Sequence, residues 1–166
     1  MKMIPIAAAM VLAGMSLAAT AQTPPPPPPA EARTQAMPYV MAAGMSDLYE
    51  INSSQIAMQK SQTPAIRRYA SMLVKHHQKT TAATMKAAQK AGLTPPAPSL
   101  GDAAASIAEL QSASPADFDR LYIGQQIPAH QAALDLHQSY AQGGDKPALK
   151  ATARTAVPII KQHIAA

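Results

Sequence analysis

No cysteine and no tryptophan occur among the 166 residues of this chain, and phenylalanine occurs once. Without cysteine there is no disulfide, no thiolate metal site, no cysteine nucleophile and no lipid-modified cysteine anchor. With so few large aromatics, the core has to be built from Ala, Leu, Ile and Met, a set that favours helices packed closely through small side chains. Acidic residues are also in the minority, nine against fourteen Lys and Arg. The basic residues form no dense cluster with interleaved aromatics, which argues against a nucleic-acid partner. Neither a phosphate-cradling glycine loop nor a nucleophile elbow is present, and the serines have no evident triad partner. Conventional enzyme chemistry is therefore unsupported, and an enzyme of unrecognised type is the reading of last resort.

The chain opens with Met1-Lys2, an apolar run from Ile4 to Ala19 and the small-residue site Ala19-Thr20-Ala21. This order reads as a cleavable secretory leader over residues 1–21, giving a periplasmic or secreted protein. The run is too short, and too clearly followed by a cleavage site, to remain as a membrane span. Removing Lys2 leaves thirteen basic against nine acidic residues, a net charge of +4 with neutral histidines. That excess permits weak contact with anionic envelope polymers. Residues 22–36 read as a linker, because the unbroken run Pro24 to Pro29 lacks backbone donors and prefers an extended polyproline II path.

Residues 37–166 carry the punctuation of four long helices. The first is expected from about Pro38 to Gln62. The second opens at Thr63-Pro64, a cap residue with proline at the first helical position, and closes at Gly92. A connection of about twenty residues follows, broken by Pro95, Pro96 and Pro98, with a short helix at Asp102 to Gln111; it is long enough to carry the chain across the helices so that the second and third run parallel. The third opens at Ser114-Pro115 and stops at Gly143-Gly144, and the fourth starts near Pro147. Pro128 and Pro158 fall inside the last two, where each removes a backbone bond and should kink the axis.

At roughly 100° per residue, Ile66, Ala70, Leu73, Thr84 and Ala88 form the inward stripe of the second helix, and His77 falls within it. His76 belongs to its half-solvated edge. In the last helix His163 points inward with Ala153, Ala156 and Ile160. His130 and His137 lie about 110° from the centre of the apolar face of the third helix, and Glu50 sits on a stripe of small residues in the first. By the rise of about 1.5 Å per residue, Glu50, His77, His130 and His163 come to within about two turns of one height. These four are the candidate metal ligands.

Asp47-Leu48-Tyr49-Glu50, Tyr69-Ala70-Ser71-Met72 running to His77, Phe118-Asp119-Arg120-Leu121-Tyr122 running to His130, and Pro158 to His163 together resemble the exported bacterial family called domain of unknown function 4142. The resemblance covers nearly all of Met37 to His163. It implies an all-α, ferritin-like four-helix bundle of the outer membrane or periplasm, with no activity established for the family at large. Where that family typically has Asp-His in the second helix, this chain has His76-His77, which replaces a carboxylate with a nitrogen ligand.

Di-iron bundles place Glu-x-x-His on two helices, because two irons need bridging carboxylates. Here Val74, Ile127 and Ile160 stand three residues before the histidines, which argues against that cofactor. Three imidazoles and one carboxylate suit a single zinc, copper or nickel ion better than magnesium or calcium. The ordinary alternative is that the histidines bond neighbouring carbonyls or carboxylates. Met37, Met41 and Met45, spaced by four, are core methionines or soft ligands for copper(I). Three readings stay open: a non-enzymatic envelope protein with a stress or interaction role, a mononuclear metal-binding or metal-buffering module, and an enzyme.

Overall fold

The computed structural model describes residues 23–166; the expected leader lies outside them. Among the described residues the fold is all-α, with five helices: α1 (Ala36–Lys60), α2 (Pro64–Lys90), α3 (Ala104–Ser112), α4 (Phe118–Gly143) and α5 (Pro147–Ala165). None of them is long and apolar enough to cross a membrane.

The helix ends follow local chemistry. Pro64 and Pro147 occupy first-turn positions of α2 and α5, where no intrahelical N–H is needed. α2 ends in a Schellman arrangement: Gly92 takes φ +76°, its N–H bonds the Gln89 carbonyl at 3.0 Å, and the Leu93 N–H bonds Ala88 at 2.9 Å. α1 begins two residues before Pro38, which is tolerated inside the first turn for the same reason as Pro64. α4 begins three residues after Pro115, because Ser114 closes a turn first: its hydroxyl accepts the Asp117 N–H at 3.2 Å. Both internal prolines are contained within continuous helices.

Paired side chains give the helix directions. Tyr39 meets Tyr140, Tyr49 meets Gln125 and Ser54 meets Tyr122, so α1 and α4 are antiparallel. Asp47 meets His77 across the Ser61-Gln62-Thr63 turn, so α1 and α2 are antiparallel as well, and α2 and α4 run parallel. α5 returns along α4 and packs on α2. The connection reaches α4 by passing over α1 at Gly44, where an added Cβ would lie 3.1 Å from Pro98. α3 then rests on α1 and α4, and the Lys60 ammonium donates to the carbonyls of Leu110, Gln111 and Ala113 at 3.2, 2.6 and 2.8 Å, capping its C-terminal end.

The proline segment does not stand off as a spacer. Pro25, Pro26 and Pro28 line a small gap with residues of α1 and α4, Ala32 is fully buried, and the Thr34 carbonyl accepts the Asp145 N–H at 3.0 Å. An extended proline run has little conformational entropy to lose, so seating it costs little.

Apolar packing is concentrated at two levels. One cluster joins Tyr39, Leu136, Tyr140 and Leu149 around Ala88, with the Tyr39 and Tyr140 rings stacked at 3.8 Å. The other joins Ala57, Ala70, Leu110, Phe118 and Tyr122. Between them, alongside smaller apolar clusters around Tyr49 and Ile160, the interior carries polar side chains: Asp47, Glu50, Ser53, His77, Gln126, His130 and His163 are all buried. Each fully buried Leu contributes about 1.5–3 kcal/mol, so a layer of charged and polar side chains in their place is costly unless its groups are satisfied or used.

Candidate metal centre

His77, His130 and His163 come from α2, α4 and α5, and one ring nitrogen of each lies within 4.8 Å of the others. All three side chains are buried, at 4, 2 and 2 % exposure. The closest pair is His130 Nε2 and His163 Nδ1 at 3.3 Å. That separation matches an edge of a tetrahedron built on metal–nitrogen bonds of about 2.0–2.1 Å.

The outward nitrogen of each ring has its own acceptor. His77 Nδ1 lies 2.7 Å from Asp47 Oδ1, a carboxylate also held by the Thr80 and Thr81 hydroxyls. His130 Nδ1 lies 3.0 Å from the Gln126 carbonyl. His163 Nε2 lies 2.8 Å from His76 Nδ1. If each outward nitrogen carries the proton, every inward nitrogen presents a lone pair, the tautomer set a metal requires. Around an acceptor-rich outer layer this assignment satisfies all three bonds at once.

Electrostatics divide the cluster. Burial, together with the neighbouring His77, His130 and His76, pushes His163 down to about 3, so it is neutral at ordinary pH. Burial also opposes protonation of His77, but the Asp47 hydrogen bond and the charges of Asp47 and Glu50 outweigh it and hold this histidine above its usual value. His77 Nε2 is nevertheless buried with no hydrogen-bond partner among the described residues. A basic, buried nitrogen aimed at two other imidazoles and left unpaired is the strongest sign that these residues fit a metal ion.

Glu50 is 1 % exposed and both its oxygens lack hydrogen-bond partners among the described residues. Its Oε1 is 3.6 Å from His130 Nδ1, beyond a hydrogen bond, and it is not in the mutually close ligand set. The structure therefore groups three of the four sequence candidates and sets the fourth beside them as a buried charge.

Three residues escaped the sequence reading or were placed too far out. Asp47 shares the small-residue stripe of α1 and stands level with His77 across the turn, and both signals were available. His130 was placed off the apolar face, yet α4 is covered by α1, α3 and α5, so its buried arc is wider than one stripe. His76 is partly exposed as expected, but it is bonded to the cluster and stacked on His163 at 5.1 Å. His137 lies outside the cluster: its Nδ1 is 2.9 Å from the Tyr39 hydroxyl, and burial brings it down to about 4.

An apolar groove of about 360 Å³ opens at the end of α5, and its floor includes His130 and His163. Ile127 and Ile164 stand at its rim, 67 and 48 % exposed.

The class so defined is an all-α protein with an interior tri-histidine centre. The chain belongs to the family described as Domain of unknown function (DUF4142), whose model matches residues 20–166. No curated protein and no solved structure matches it.

Proposed function

We propose that this protein is an exported, non-enzymatic metal-binding module: a ferritin-like four-helix bundle, crossed by the connection that carries α3, with one divalent transition ion held by His77, His130 and His163. The observation that carries the reading is the unpaired Nε2 of His77, since a buried nitrogen without a partner forfeits about 1–3 kcal/mol that an ion would restore. Charge supports it. Two buried carboxylates, Asp47 behind His77 and Glu50 beside His130, offset the charge of a dication among neutral imidazoles. The all-nitrogen set suits zinc, copper or nickel. Export rests on the leader-like composition of residues 1–21, and the envelope is where such a module would buffer metal.

Metal analysis of protein purified without an affinity tag tests this reading. We expect about one zinc, copper or nickel ion per chain. His77→Ala, His130→Ala and His163→Ala should each abolish stoichiometric binding while circular dichroism shows the helices retained. A parent protein with no saturable binding of any of the three metals refutes the proposal.

A further inference from the structure

His163 engages a partner on each side of its ring. Its Nδ1 faces His130 Nε2 at 3.3 Å in the interior, and its Nε2 faces His76 Nδ1 at 2.8 Å toward the surface. His76 is partly exposed, stacks nearly parallel on His163 with an interplanar angle of 18°, and lies beside the buried His77 on α2. Four imidazoles from α2, α4 and α5 thus form a continuous set from solvent to core, with His163 common to an outer pair and an inner trio.

Resting on the metal-binding reading above, we propose that His76 and His163 form an outer capture site through which the ion enters and leaves the interior centre. The chemistry is ligand exchange with no redox step. An aquated dication first replaces a water with a nitrogen of His76, and the adjacent His163 supplies the second ligand. Rotation of the His163 ring, with loss of the His76 bond, then passes the ion to His130 and His77 as its remaining waters leave. Each imidazole keeps one N–H throughout: where the binding nitrogen carries the proton, that proton passes by way of solvent to the other nitrogen of the same ring. Each exchange keeps the ion bound to at least one imidazole, which avoids carrying a bare charge through an apolar wall. No other residue of the described chain offers a partly exposed nitrogen bonded to the trio.

The same geometry makes a different statement if His76 serves only to orient His163. Loss of an orienting acceptor weakens binding, raising the dissociation rate and leaving association nearly unchanged. Loss of an entry ligand raises the barrier in both directions. Stopped-flow binding of Co(II) to the full protein, followed by its visible absorption, and release to a chelator separate the two. In His76→Ala and His76→Phe we expect association to slow by about tenfold, equivalent to about 1.4 kcal/mol of barrier. Because His76 also accepts from His163 Nε2, affinity should fall as well, and the slowed association is the change that an orienting role alone would not produce. Unchanged association with faster dissociation, or unchanged rates in both directions, overturns the proposal and leaves the groove floored by His130 and His163 as the route. A parent that binds no Co(II), zinc, copper or nickel overturns the metal-binding reading itself, a failure visible before any variant is compared.

Discussion

Replacing Asp47 with Asn tests the centre at a residue that touches no metal. The carboxylate accepts from His77 Nδ1 at 2.7 Å and from Thr80 and Thr81 at 3.0 and 2.8 Å. Asn is nearly isosteric, its carbonyl still able to accept from His77, and the threonine hydroxyls can rotate to donate elsewhere, as both already approach the His77 carbonyl at 3.1 and 2.9 Å. The fold should survive. What disappears is the buried negative charge that makes His77 a stronger base and a better donor of its inward lone pair. Loss of such an outer-layer carboxylate typically weakens metal binding by about 10–100-fold, or about 1.4–2.7 kcal/mol. At a free metal concentration of about one hundred times the parental Kd, the ion stabilises the parent by about 2.7 kcal/mol, and a tenfold loss of affinity removes about half of that. Competition against a chromophoric zinc chelator measures the affinity, and thermal unfolding with and without metal measures the linked stability. Parental affinity in Asp47→Asn, with the metal-free melting temperature intact, would refute the claim that Asp47 tunes His77.

Three further outcomes follow from the fold. Lys60→Met should cost about 1 kcal/mol in urea unfolding, because three carbonyls at the end of α3 lose a charged donor that is only partly shielded from water; an unchanged midpoint contradicts the capping role. Gly144→Ala should lower the melting temperature by several degrees, at about 2–4 °C per kcal/mol, since its Cβ would stand 2.6 Å from the Tyr140 carbonyl oxygen; a neutral result would show that the α4–α5 turn relaxes freely. His137 is held near 4 in the folded chain, below its ordinary 6.5, so the unfolded chain takes up its proton first as the pH falls. Its contribution is therefore full above pH 6.5 and lost from there down to about pH 4, by about 1.4 kcal/mol per pH unit. Urea unfolding of metal-free parent and His137→Asn across that window should show the steeper decline only in the parent.

Much of the helix layout was legible because it depends on local chemistry. Thr63-Pro64, Gly92 and Pro147 mark ends that backbone rules alone predict, and the inward placement of His77 and His163 follows from helices with one clear buried face. Ser114-Pro115 misled by three residues, since a serine that caps a turn looks the same in sequence as one that caps a helix. His130 and Asp47 were harder for a different reason. Facing by periodicity assumes a single covered side, whereas α1 and α4 are covered on several, so side chains well off the apolar centre are still buried. The His76–His163 contact and the seating of the proline run depend on how separate segments approach one another, which no single-helix pattern contains.

The three ring nitrogens belong to positions 77, 130 and 163, on three helices separated by long stretches of chain. An ion held by all three would tie those stretches into closed loops, as a covalent cross-link does, and Asp47 would tether α1 to the same knot through His77. The chain has no cysteine, and among the described residues this trio is the only cluster that offers such a tie. Because the site exists only in the folded arrangement, the ion opposes every opening that separates those helices. Loading would therefore be read as slower unraveling and greater resistance to proteases, and the chain would be durable or disposable according to the metal around it.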